Sequence, residues 1–171
     1  EVVTGFGRTG NPFGIQHWDC VPDMIVATKG LSSGYAAIGA VIVHGRIWDT
    51  FVETNTMSIP AWVTYSGHPI SCAAALAVQE YIEEHDLILK SAEMGDYLKS
   101  QLEALAEREP IIGDVRGKGM LIGIEFVQDR ETHQSFPRAL KLIENIVSTA
   151  FENKLIIRGR PGNGVTKEGD H

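Results

Sequence analysis

This sequence is poor in cysteine, and its basic residues fall short of its acidic ones. Only Cys20 and Cys72 occur, far apart and unable to form a ligand pair; they read as buried thiols in a reducing compartment, a disulfide being the lesser alternative. Asp and Glu number 22 against 15 Lys and Arg, and the net charge of −7 argues against nucleic acid or an anionic membrane as the main partner. Long apolar runs are missing too. The longest stretch free of Asp, Glu, Lys and Arg, Thr54 to Gln79, contains Pro60, His68, Pro69 and many hydroxyls, so it makes no transmembrane helix. His17 and Trp18 stand without a second ligand at metal spacing, and no metal is expected. Neither an initiator methionine nor a targeting segment opens the chain.

What is present is an ordinary globular balance, 43% hydrophobic over 171 residues, enough by length for one core. The stretch VPDMIVATKGLSSGYAAIGAVIV, Val21 to Val43, organises the rest. Met24 to Ala27 is a short β-branched run suited to a buried strand, Gly30, Gly34 and Gly39 break any helix, and Ile38 to Val43 is a second apolar run. Lys29 therefore falls on a loop at the carboxyl end of the first strand, where open α/β sheets place ligand groups. Two readings of it stand side by side. A lysine at a strand end commonly holds its ammonium in water; a desolvated one becomes nucleophilic and forms a Schiff base with an aldehyde.

Farther along, Thr64-Tyr65-Ser66-Gly67-His68-Pro69 precedes a helix from Ile70 to Glu84, with Pro69 in its first turn. Thr64 is either a local cap or, among free backbone donors, a phosphate ligand. GFGRTG, at positions 5 to 10, lacks the spacing of a dinucleotide loop and reads as an irregular turn. Asp86 opens a second helix whose apolar positions Leu87, Met94, Leu98, Leu102 and Leu105 recur at helical spacing, while Glu83, Glu84, Glu93, Glu103, Glu107 and Glu109 form a solvated face. Period two from Asp114 to Val127 predicts a hairpin, with Arg116 and Lys118 as turn residues. Arg46 to Val52 reads as a short helix, Met57 to Val63 as loop, and Phe13 to Cys20 as an amphipathic cover. A last helix runs through Leu140, Ile143, Val147 and Phe151 to Asn153; Leu155 to Arg158 is a final strand and GNGVTKEGDH a polar tail. Arg158 is either an exposed strand-end residue or a guanidinium that grips a carboxylate with two parallel hydrogen bonds.

The blocks EVVTGFGRTGNPFG, PDMIVATKGLSSGYAAIGAV, TYSGHPISCAAALA and DVRGKGMLIGIEFV occur in that order, followed by LIIRGR. In that order and spacing they resemble the class III pyridoxal-phosphate aminotransferases. The resemblance covers Glu1 to about Arg160 and implies an α/β, aspartate-aminotransferase-like fold (fold type I), with 1–84 as the end of a large cofactor-binding domain and 85–171 as a small α+β domain. It implies that Lys29 binds pyridoxal 5'-phosphate as a Schiff base and moves the proton, that Val2 packs against the ring, and that Thr64 holds the phosphate of a neighbouring subunit in a homodimer with shared active sites. Arg158 would bind the carboxylate of a keto acid, and Arg8 would be structural or near the subunit interface.

TYSGHP is most similar to the branch that moves an amino group from an amine or ω-amino acid to pyruvate. An aminomutase or decarboxylase would share Lys29. Glu1 stands where the family's Asp-Glu-Val motif has just supplied its Asp, the residue that keeps the pyridine nitrogen protonated. The chain is therefore expected to be a carboxyl-terminal portion that does not transaminate alone; an inactive dimerisation or binding module is the reading from another class. Family and cysteine use both point to the cytoplasm.

Overall fold

The computed structural model describes residues 1–54 and 63–160, together with the backbone of 169 and 170. The expected loop from Met57 lies outside the described residues up to 62, as does most of the expected tail. The chain is mixed α/β and divides into two compact units, Glu1–Tyr97 with Lys118–Leu121, and Leu98–Gly117 with Ile122–His171. Among the described residues no helix is long and apolar enough to cross a membrane.

In the first unit β1 (Met24–Ala27) pairs antiparallel with β2 (Ala40–Val43), from Met24 opposite Val43 to Ala27 opposite Ala40. The expectation of a buried strand is corrected here. Ala27 is 1% exposed, but Met24 and Val26, on the other face, are 57% and 54% exposed. The cause is the period of two: a two-stranded ribbon turns alternate side chains to opposite faces, and only one face of this one is covered.

Helix α1 (Gly45–Glu53) follows, its first turn closed by the His44 imidazole, which accepts from the Arg46 amide at 3.2 Å, and by an Arg46–Asp23 ion pair. Helix α2 (Pro69–Glu84) begins as its sequence dictates. Proline has no amide to leave unpaired in a first turn, and His68 accepts from the Ser71 amide at 3.4 Å. Helix α3 (Leu87–Arg108) starts after Asp86, whose φ of 51° turns the chain sharply out of α2. The acidic face is solvated as expected, each of its glutamates being exposed. A Cβ on Gly95 of α3 would fall 2.2 Å from the main chain of Gly119, so the residue is glycine because backbone meets backbone there.

The second unit is built from the end of α3, the hairpin of β3 (Ile112–Lys118) and β4 (Leu121–Phe126), and α4 (Leu142–Glu152). Its buried side chains are Ile112, Val127 and Ile143. Neither Arg116 nor Lys118 is a turn residue, since both lie within β3. The turn is confined to Gly119 and Met120, and Arg116 lies within β3, where it bonds Asp114 at 2.7 Å and Glu125 of β4 at 2.5 Å. Those carboxylates, Asp114 first, hold the guanidinium above its already high ordinary value.

Asn153 ends α4 as expected. Leu155 to Arg158 forms no strand: Ile156 is 84% exposed, and an apolar run becomes a strand only where a neighbouring backbone offers a ladder. The segment instead passes along α4, close enough that a Cβ on Gly159 would meet Ile143 Cγ2 at 2.5 Å. A short pair, β5 (Phe136–Pro137) with β6 (Gly169–Asp170), was not foreseen in the polar tail.

Both cysteines are exposed, contrary to the expectation of buried thiols. Cys20 lies in irregular chain, where no regular face turns it inward, and Cys72 on the outward side of the first turn of α2. The inference of a reducing compartment from thiol burial falls with it.

Candidate active site

Lys29 follows β1 by one residue and opens a single 3-10 turn, Lys29–Leu31, with a left-handed φ of 45°. That backbone state is uncommon outside glycine and persists only where surrounding contacts impose it. Several do. A Cβ on Gly30 would meet the carbonyl oxygen of Gly5 at 2.9 Å and Phe6 Cβ at 3.1 Å, so the GFGR loop lies directly against the lysine turn and leaves no room for a side chain. Ser32, 2% exposed, donates from Oγ to the Ala36 carbonyl at 2.7 Å and closes the loop that leads to β2. From α2, Gln79 Nε2 donates to the carbonyls of Gly30 at 3.2 Å and Leu31 at 2.9 Å.

The GFGR loop is itself pinned by Glu1. Its carboxylate accepts from the Thr4 hydroxyl and from the amides of Gly14, at 2.9 Å, and Ile15, at 2.8 Å, fixing the 3-10 turn Gly14–His17. Burial works to raise this carboxyl, but the hydrogen bonds from Thr4, Ile15 and Gly14 outweigh it and hold the group below its ordinary value.

Lys29 lines a cavity of about 510 Å³ with Arg8, Ser33, Lys90, Ser91 and Met120, all in the first unit. The chemistry of that lining suits an anionic aldehyde. One primary amine stands at a strand end, two further cations and two hydroxyls share the space, and the volume falls in the range of small-molecule sites, roughly 300–1,000 Å³.

Lys90 and Ser91 were not singled out from the sequence. The signal for them was a break in the α3 stripe: between Leu87 and Met94, at positions three and four of the heptad, stand a cation and a hydroxyl in place of apolar residues.

The other expected site residues are placed as follows. Val2 is 39% exposed, and Thr64 is an exposed residue at the start of the turn before α2; neither is among the residues lining the Lys29 cavity. Arg158 is exposed in the second unit. Lys29 is thus brought together with the GFGR loop, α2 and α3, and not with Val2 or Thr64.

Residues 1–166 match the family model for class-III aminotransferases. The chain is 44% identical over 170 residues to the uncharacterized aminotransferase YodT of Bacillus subtilis, covering 99% of this chain and 38% of that protein. Against the taurine–pyruvate aminotransferase of Bilophila wadsworthia it is 41% identical over 144 residues, 82% of this chain and 31% of the relative. Among solved structures, an amine transaminase from an uncultivated Pseudomonas species in its PLP-bound form superposes with a TM-score of 0.86 at 39% identity, over 92% of this chain and 36% of that one.

This chain therefore spans between 31% and 38% of the length of these matched proteins. Family and neighbours carry the fold type I architecture and imply pyridoxal phosphate as the cofactor. Matched by that family's model over residues 1–166 and 44% identical to one of its members over 99% of its length, this chain belongs to the class III aminotransferase family.

Proposed function

We propose that the protein carrying this sequence is a pyridoxal-phosphate-dependent transaminase that moves an amino group from an amine or ω-amino acid to pyruvate or another keto acid. The observation that carries the reading is the placement of Lys29: an amine at the end of β1, in an imposed backbone conformation, lining a cavity of about 510 Å³ with Arg8 and Lys90. The family match and the taurine–pyruvate relative support it.

Bound pyridoxal phosphate supplies an aldehyde carbon and an electron-withdrawing ring that makes a substrate C–H acidic. Lys29 Nζ would be the group that binds the cofactor's aldehyde, and as a free amine it would serve as the base that holds and moves a proton beside the substrate carbon. Val2 would pack against the cofactor's ring and Thr64 would bind its phosphate from a second copy of the chain, so that two copies would share their active sites. Arg158 grips the carboxylate of the keto acid with two parallel hydrogen bonds. In this reading the large domain ends near residue 84, the small domain begins at 85, and the enzyme works in the cytoplasm.

Replacing Lys29 by Ala in the full-length protein is expected to remove turnover between an amine donor and pyruvate, a loss of at least about 10⁴-fold, since both the covalent and the proton-transfer role disappear. Turnover at the ordinary rate in Lys29→Ala contradicts the assignment.

A further inference from the structure

We infer that Gln79 is a positioning residue for Lys29, a role that rests on the reading of Lys29 as the cofactor-binding amine. Gln79 lies in the last third of α2, on the side turned toward the lysine turn, and its side chain is half-buried. Its carboxamide nitrogen donates to two successive carbonyls of that turn, Gly30 at 3.2 Å and Leu31 at 2.9 Å. Both partners are acceptors, so only the amide nitrogen can face them; the orientation of the side chain is fixed by chemistry.

Gly30 and Leu31 belong to a 3-10 turn of only three residues, Lys29–Leu31. So short a turn satisfies few of its own carbonyls. Two of those carbonyls point to α2 and find their donor 48 and 49 residues along the chain. Without that donor the turn loses its link to α2, and Lys29, at φ 45°, relaxes toward commoner backbone states. The other restraints act elsewhere. Ser32 ties the loop to Ala36, and Gly30 allows the approach of Gly5, but neither bonds these carbonyls. Gln79 therefore sets the direction in which the lysine stem leaves the backbone, and with it the presentation of Nζ to an aldehyde.

The test uses the full-length protein with Gln79→Met, which keeps length and volume but removes both donors, beside Glu80→Gln, an exposed neighbour on α2, as control. Three quantities are read: amide hydrogen exchange at Leu31 and Ser32 without cofactor, the rate at which pyridoxal phosphate is trapped on Lys29 by borohydride, and the rate of reductive methylation of Lys29 by formaldehyde, mapped by peptide. In Gln79→Met exchange at the turn is expected to accelerate about tenfold, the worth of two neutral hydrogen bonds, with trapping slowed by a similar factor and methylation altered. The control matches wild type in all three.

Gln79→Met indistinguishable from wild type overturns the inference, as does slow trapping with unaltered exchange, because the effect then does not pass through the turn. If wild-type Lys29 takes up no pyridoxal phosphate, the proposed function fails instead. Exchange and methylation, which need no cofactor, still decide whether Gln79 holds the turn and orients the amine.

Discussion

Single side chains in this protein do their work by closing off backbone groups. The Glu1 carboxylate shows it: one oxygen takes the Ile15 amide, the other the Gly14 amide and the Thr4 hydroxyl, and the loop leading to Gly14 is fixed from its far end. Because its folded-state pKa lies below the ordinary 4.5, the stabilisation is present above that pH and is lost as pH falls through the lowered value. Glu1→Gln is expected to cost about 1 kcal/mol at pH 7, the usual worth of a capping acceptor, with the gap to wild type narrowing below pH 4.5. Thermal unfolding at a series of pH values reads this directly. A gap that does not change with pH contradicts the role. Nothing in the local pattern of EVVTGFG announces the bonds to Gly14 and Ile15, 13 and 14 residues away; Lys29, by contrast, is framed locally by a short strand and three following glycines, a weak signal by itself that the family resemblance strengthens.

At the scale of elements, the helices were legible nearly to their ends. Pro69 and His68 place the start of α2, Asn153 the end of α4, and the stripe from Leu87 to Leu105 the course of α3, all of them local signals. Strands were less legible, because a strand needs a partner that its own sequence does not name. Leu155 to Arg158 has the composition of a strand and forms none, whereas Phe136–Pro137 pairs with a polar Gly169–Asp170 that no pattern favours.

How elements are joined was not legible at all. Arg130 illustrates the point: Nε donates to the Ile112 carbonyl at 2.8 Å, and Nη2 to those of Glu109, at 2.8 Å, and Ala106. One guanidinium thereby caps the carboxyl end of α3, where the helix dipole favours a cation, and ties it to the first residue of β3. Arg130→Met, which keeps the aliphatic stem, is expected to destabilise by about 1–2 kcal/mol. In urea the midpoint falls while the slope stays constant; an unchanged midpoint would show that water replaces the guanidinium without cost.

For the whole molecule, the outward faces matter most. Met24, Val26, Val41 and Ile42 of the β1–β2 ribbon are each between 44% and 62% exposed, as are Leu76 at 61% and Tyr81 at 55% on α2. Exposed apolar patches of this kind are characteristic of interaction faces, and the chain spans 38% of a relative that it matches along 99% of its own length. Sequence composition hid this, because 43% hydrophobic residues are consistent with a closed core and say nothing of which faces remain open. The reading of Lys29 comes from one contiguous block of sequence together with the family resemblance, whereas Lys90 and Ser91 reach its cavity from a helix far along the chain.

The central claim is that Lys29 is the amine that binds the cofactor. Its most direct test is the intact mass of the full-length protein after borohydride reduction with pyridoxal phosphate, followed by mapping of the peptide that holds Lys29. One reduced pyridoxyl group per chain, located on Lys29, is the expected result. An unmodified Lys29 peptide, or an adduct on Lys90 in its place, contradicts the account.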